Sequence, residues 1–306
     1  MLAVLLALAS AAGYGGSDYW AGLATRRTSV IRVTILAEVT GVLGLALVLP
    51  WTGLPAPTAG SLAWGAAGGV GGAAGALALY LGFRNAAFSV AAPLSAVGAA
   101  GFSVLAGLLL GEHPGGLALA GIALALPAIV GVSASSPGAA DPAGGDPAGA
   151  GPAAEEPAAD PAGGGGRHAQ GVIWGLAAGA GFALLFIALN RAGQGGGLWP
   201  VAAAQVTSLA VVAGLGAGTG DLHLPAPGGR RLAVLTGAAG AGGTVLYFLA
   251  TQAGLLAVTA VLTSLYPAVT IVLARLLLGE RLTAVRLAGL GLAAASVGLI
   301  AAGGAG

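Results

Sequence analysis

Ten stretches of about 20 mostly apolar residues follow one another along the chain, separated by clusters of arginine, proline, aspartate or glycine. At a rise of 1.5 Å per residue, that is the length a helix needs to cross the hydrocarbon core of a bilayer. The pattern predicts transmembrane helices at 2–23, 30–49, 61–83, 87–110, 117–134, 169–189, 199–217, 232–250, 255–278 and 284–303. Between the fifth and sixth, the segment 135–168 breaks the pattern. Ser135–Gly166 holds six prolines together with Asp141, Asp146, Glu155, Glu156 and Asp160, and it has too little apolar surface to bury. It reads as a disordered Ala/Pro/Gly-rich acidic linker between residues 1–134 and residues 169–306. The first twelve residues end in small side chains, as a cleaved leader would. They lack a basic start and the apolar stretch continues past them, so they are read as the first helix.

The two halves resemble each other at a constant offset of 168 residues. Leu108-Leu-Leu-Gly-Glu112 falls on Leu276-Leu-Leu-Gly-Glu280, and Leu119-Ala-Gly121 on Leu287-Ala-Gly289. Each half is therefore read as one copy of a five-helix unit. Because five is odd, a second copy following the first must cross the bilayer in the opposite sense, which makes an inverted repeat. The arginines test this independently, since basic loops favour the cytoplasm. Arg26, Arg27 and Arg84 follow the first and third helices of the first half. Arg230, Arg231, Arg281 and Arg286 follow the second and fourth of the other. With Arg32 and Arg167, these fall on one face; Arg191 falls on the opposite face and Arg275 inside a span. This bias places both termini outside the cytoplasm.

Composition narrows the class. Charged residues are 7% of the chain, where a soluble domain carries about a quarter. Hydrophobic residues are 57%, mean hydropathy is +0.94 and glycine supplies 58 positions. A net charge of +1 offers no footprint for nucleic acid, and the absence of cysteine removes disulfide, zinc-ribbon and thiol chemistry. The chain is read as an all-α, multi-pass integral membrane protein.

Several segments resemble one known family. Gly15-Gly-Ser-Asp-Tyr-Trp-Ala-Gly-Leu-Ala-Thr-Arg-Arg27 is similar to the opening helix of actinobacterial members of the drug/metabolite transporter superfamily, in its ten-helix EamA-type branch. Phe88-Ser-Val-Ala-Ala-Pro-Leu-Ser95 and Ser264-Leu-Tyr-Pro-Ala268 resemble its fourth and ninth helices, and both Leu-Leu-Leu-Gly-Glu segments resemble its repeat ending. The resemblance covers all but the linker. It implies ten helices as two inverted repeats in a bacterial plasma membrane. It also implies secondary transport of a small organic solute by alternating access, as efflux or exchange, with no cofactor. The chain departs from strict repetition at its prolines: Pro93 has Val261 at the offset position, and Pro267 has Ala99. Family members often keep both termini in the cytoplasm, against the arginine bias.

An ionisable group inside a span costs about 2.5–3.5 kcal/mol and needs a reason. Asp18, Glu38 and Arg275 qualify. Each could form a buried ion pair or reach an interface, most readily Arg275. The functional reading is that Asp18 and Glu38 face a central chamber, where one exchanges a proton and is discharged by solute or by Arg275. Tyr14, Gln205, Tyr247, Thr251 and Tyr266 complete the expected solute or proton pathway. Pro93 and Pro267 would kink their helices beside it. Glu112 and Glu280 sit at span ends and read as structural, through interface anchoring or helix capping. Glycines at 171, 175 and 179, and the pairs 68/72 and 71/75, read as close helix contacts. No metal site follows from the scattered His113, His168 and His223.

The leading reading is thus a secondary carrier driven by protons or by the solute's own gradient. Two acids against one arginine lean towards cationic or zwitterionic solutes. A chain without lysine has no Walker-type phosphate loop. The rival reading is a membrane enzyme or lipid-handling protein using the same carboxylates. Against it stand the lack of a paired His/Asp cluster and of a basic headgroup-binding loop. A structural partner would not need buried acids. The expected partners are a small solute and the bilayer, with no nucleic acid; a homodimer stays open.

Overall fold

The computed structural model describes residues 1–51, 56–85, 88–133, 164–193, 196–278 and 282–303. The linker reading therefore lies outside the described residues, as do Glu280, Arg281 and the side chains of 80–92 and 164–169. All regular structure among the described residues is helical: α1 Leu2–Thr25, α2 Val30–Val48, α3 Ala59–Asn85, α4 Phe88–Leu109, α5 Gly116–Ser133, α6 Gly164–Arg191, α7 Trp199–Thr219, α8 Pro227–Ala253, α9 Leu256–Thr263, α10 Tyr266–Leu278 and α11 Ala284–Gly303, with a short 3₁₀ turn at Leu49–Trp51. Eight spans among the described residues are long and apolar enough to cross a membrane, α9 and α10 counting as one.

Two expected spans fall outside that set. Gly13, Tyr14, Gly15, Gly16, Ser17 and Asp18 dilute α1, and α4 offers an apolar segment, Pro93–Leu109, that is short among the described residues. The span expected at 255–278 is two helices. Pro267 has no N–H and its ring would collide with the carbonyl one turn back, so the chain breaks at Ser264 and Leu265 before α10 begins. Pro93, in contrast, sits inside an uninterrupted α4. The helix α8 starts five residues before the apolar stretch because Pro227 occupies its first turn, where a missing N–H costs nothing.

Large apolar side chains point outwards on most helices, among them Leu47, Leu109, Ile173 and Leu276. A water-soluble protein would hide such a belt; lipid accepts it. Inside, small residues let backbones meet. A Cβ on Gly13 of α1 would lie 2.8 Å from the Gly243 Cα of α8, and one on Gly181 of α6 would lie 2.6 Å from the Gly75 Cα of α3. Adding 168 to Gly13 and Gly75 gives Gly181 and Gly243, so these two seams join positions that match under the offset. Likewise a Cβ on Gly237 of α8 would strike the Ala37 carbonyl of α2, and one on Gly69 of α3 the Ala204 carbonyl of α7. The glycine runs read from the sequence serve such contacts: Gly71 and Gly75 meet α6 at Gly181, and Gly179 meets α4 at Gly98.

Ends that meet define directions. The loop after α1 touches the first turn of α8, with the Arg27 guanidinium donating to the Gly228 carbonyl at 3.0 Å. At the far end, Gly196 before α7 lies against Ser61 at the start of α3. Helices α5 and α11 run antiparallel, with Gly121 beside Ile300 and Gly131 beside Gly289.

Candidate functional site

Five helices, α1 and α2 from the first half and α7, α8 and α10 from the second, bring polar groups together inside the bundle. Glu38 lies near the middle of α2. One carboxylate oxygen accepts from Gln205 Nε2 at 2.5 Å and the other from Ser208 Oγ at 2.7 Å. Gln205 and Ser208 are three residues apart on α7, so they share a face and grip both oxygens. A buried carboxylate is expensive in a bilayer, and hydrogen bonds to a charged group return about 1.5–3 kcal/mol each. Gly41, one turn after Glu38, makes room: a Cβ there would lie within 2.9 Å of the Gln205 amide carbon.

Tyr14 of α1 shares a 2.9 Å hydrogen bond with Thr244 Oγ1 of α8. Its phenol is within electrostatic reach of both Glu38 and Asp18. Asp18 follows one turn later on α1, so the two share a face. Unlike Glu38, the Asp18 side chain is exposed and makes no hydrogen bond or ion pair among the described residues. Tyr266, at the first position of α10, is within reach of Asp18 and shares a side-chain hydrogen bond with Ser95 of α4. The α1 backbone is pinned on both sides. Ser10 and Ser17 donate to the Gly243 and Thr236 carbonyls of α8 at 2.8 and 3.0 Å, and Thr270 of α10 donates to the Gly15 carbonyl at 3.1 Å.

The structure thus gathers Tyr14, Asp18, Glu38, Gln205 and Tyr266 into one region. It places the other expected residues elsewhere. Tyr247 is fully buried in an apolar core, its ring stacked on Phe186 with centroids 4.3 Å apart and its hydroxyl donating to the Phe186 carbonyl at 3.2 Å. Phe186 in turn lies 6.4 Å from the Tyr14 ring, so the Phe186 ring links Tyr247 to the polar group, and the two phenols are within electrostatic reach of each other. Thr251 is buried and donates to the Phe248 carbonyl of its own helix at 2.7 Å. Arg275 is exposed in the last turn of α10. Ser208 and Thr244 were not picked out from the sequence; the three-residue spacing of Ser208 from Gln205 is the signal that could have found the first.

Glu112 is a cap, but for a distant helix. Its carboxylate accepts from the Leu256 and Ala257 amides at 2.5 and 2.9 Å, satisfying two free N–H groups at the start of α9. Outside the spans, Asp221 receives the Ser29 hydroxyl and the Arg32 guanidinium, the latter at 2.5 Å. The Ser29 hydrogen bond, and then Arg32, hold its carboxyl below the ordinary value. No group of three His, Asp or Glu residues that could hold a metal converges among the described residues.

The EamA-like transporter family model matches residues 169–302. A solved crystal structure described only as a protein shares the fold: 18% identity, a TM-score of 0.66, and coverage of 95% of each chain. No curated protein matches the sequence.

Proposed function

Since the chain belongs to the EamA/DMT-like superfamily, we propose that it is a secondary carrier that moves a small cationic or zwitterionic solute by alternating access. The observation that carries this reading is the position of the polar cluster. Tyr14 and Glu38 come from the first half, and Thr244, Gln205 and Ser208 from the second, so the cluster lies on the junction between halves. Rocking one half against the other would expose such a junction to each side in turn.

The two carboxylates divide the work. Glu38 is committed to Gln205 and Ser208 and shapes the chamber wall. Asp18 is uncommitted and exposed, so it meets the solute's cationic group or a proton. Tyr14, between them, relays the state of one acid to the other. Coupling to protons follows if solute and proton compete for Asp18.

The topology proposed is two five-helix units, residues 1–134 and 169–306, inserted in opposite senses. Three features support it: the offset of 168 that links the Gly13–Gly243 and Gly181–Gly75 seams, the meeting of the 26–29 loop with the 220–226 loop and the start of α8, and the antiparallel α5 and α11. The chain has no cysteine, so single cysteines are uniquely labelled. Cysteines replacing Arg84 and Arg281 should react from the same side of the bilayer; labelling from opposite sides would overturn the inversion.

The function is tested in proteoliposomes loaded with panels of labelled amines, amino acids and neutral solutes. Saturable counterflow of a cationic or zwitterionic solute is expected. Chemical conversion without counterflow would point instead to a membrane enzyme.

A further inference from the structure

We propose that the basic end of the molecule carries a binding site for an anionic phospholipid, formed where the loop between α7 and α8 folds over the start of α2. No contiguous basic loop is visible in the sequence. The fold assembles one from separate segments.

The chain turns back sharply after α7. Gly220 adopts φ 70°, the left-handed conformation that ends a helix, and the Asp221 amide donates to the Gly216 carbonyl at 2.8 Å. Asp221 then docks on α2 through Ser29 and Arg32. This brings Leu222, His223 and Leu224 across the outer face of α2, leaving a cleft of about 180 Å³ between loop and helix. Leu222 and Leu224 are 54% and 65% exposed beside the cleft.

The cleft is graded like a lipid. Arg32 and His223 line it near the end of the molecule; Ile35, Leu36 and Val39 line it deeper along α2. From Arg32 to Val39 is seven residues, about 10 Å along the helix axis. A headgroup phosphate beside Arg32 would therefore send the start of one acyl chain along Ile35 and Val39. Arg32 uses its Nε on Asp221, which leaves both terminal amino groups without a partner among the described residues. Around it, Arg26, Arg27, Arg230 and Arg231 are all exposed at the same end. Arg230 Nε donates to the Pro225 carbonyl at 2.9 Å and holds the loop that forms the cleft wall. Against these cations, Asp221 is the acid seated there. Basic pockets of this kind favour anionic headgroups over zwitterionic ones, by about fivefold for each basic residue near the surface.

The full-length protein, purified and reconstituted in nanodiscs of mixed phosphatidylglycerol and phosphatidylcholine with identical chains, is released into native mass spectrometry. Retention of phosphatidylglycerol over phosphatidylcholine by roughly fivefold or more is expected. A photoreactive phosphatidylglycerol should label residues 30–39 and 222–225. Two variants guard against misfolding: Arg32→Gln, which also weakens the Asp221 contact, and His223→Glu, on an exposed side chain. Each should reduce the preference by roughly fivefold. Excess glycerol phosphate should not displace the lipid, because it lacks the acyl chain that fills the cleft. Equal retention of both lipids, labelling confined to other segments, undiminished preference in both variants, or displacement by glycerol phosphate alone would each overturn the proposal.

Discussion

At matched positions, the first half carries Tyr14, Asp18 and Glu38 where the second, 168 residues on, carries Phe182, Phe186 and Val206. The backbone seams around them are nevertheless alike, with Gly13 against Gly243 and Gly181 against Gly75. Close glycine seams occur in both halves, and ionisable side chains at these matched positions in one. The physical reason is that a helix seam tolerates little change: an added methyl group collides with backbone that cannot move. A side chain facing a chamber is constrained only by what the chamber must hold. The same contrast separates the ends of the molecule. Ser29, Arg32 and Asp221 tie one end together, whereas the residues 168 positions away in the sequence are Gly197, Pro200 and Gly53.

The largest expected effect comes from erasing the polar half of this contrast. Asp18→Asn should abolish gradient-driven uptake or lower it by about tenfold or more, the equivalent of about 1.4 kcal/mol of lost interaction. Glu38→Gln should lower it less, because the amide still accepts from one of its two donors. Full proton-driven transport by both variants would remove the acids from the mechanism and leave their asymmetry unexplained.

Matched glycines offer the next test. Gly13→Ala and Gly181→Ala should each destabilise by about 1–3 kcal/mol through overpacking, and by similar amounts. Unfolding midpoints in one detergent compare them directly. A clear cost in one half alone would show that the seams are not equivalent. Smaller again is Glu112→Ala, which leaves two amides of α9 unsatisfied and should cost about 0.5–2 kcal/mol. Glu112→Gln, keeping one acceptor, should recover part of it.

The smallest effect lies at the ends. Because Asp221 is held below the ordinary carboxylate value, its contribution is complete above that value, about pH 3.9. It is lost as pH falls through the lowered one. Mobility of a spin label on the α7–α8 loop should therefore rise on acidification. Asp221→Asn should show a mobile loop at neutral pH and little further change in acid.

The class was legible because a bilayer imposes length and apolarity on its spans, and eight helices among the described residues show both. The break at Ser264–Leu265 could be expected only as a kink. Pro267 marks the place, yet whether a proline bends or severs a helix depends on what refills the lost hydrogen bonds, as uninterrupted α4 at Pro93 shows. Of the expected pathway residues, Tyr14, Asp18, Glu38, Gln205 and Tyr266 come together, while Tyr247 and Thr251 turn to backbone carbonyls in an apolar core. Helix periodicity fixes which residues share a face. It says nothing about which neighbour that face meets.

By itself, the sequence determined that this chain lives in a membrane, where its apolar stretches lie, and that its two halves match at a fixed offset. Those properties depend on composition and spacing, which are local. Only the tertiary structure decided that Glu38 is gripped by Gln205 and Ser208, that Glu112 caps a helix 144 residues away, and that Arg32 meets Asp221. Each of those joins groups far apart in the chain, and their meeting is set by how helices pack in three dimensions.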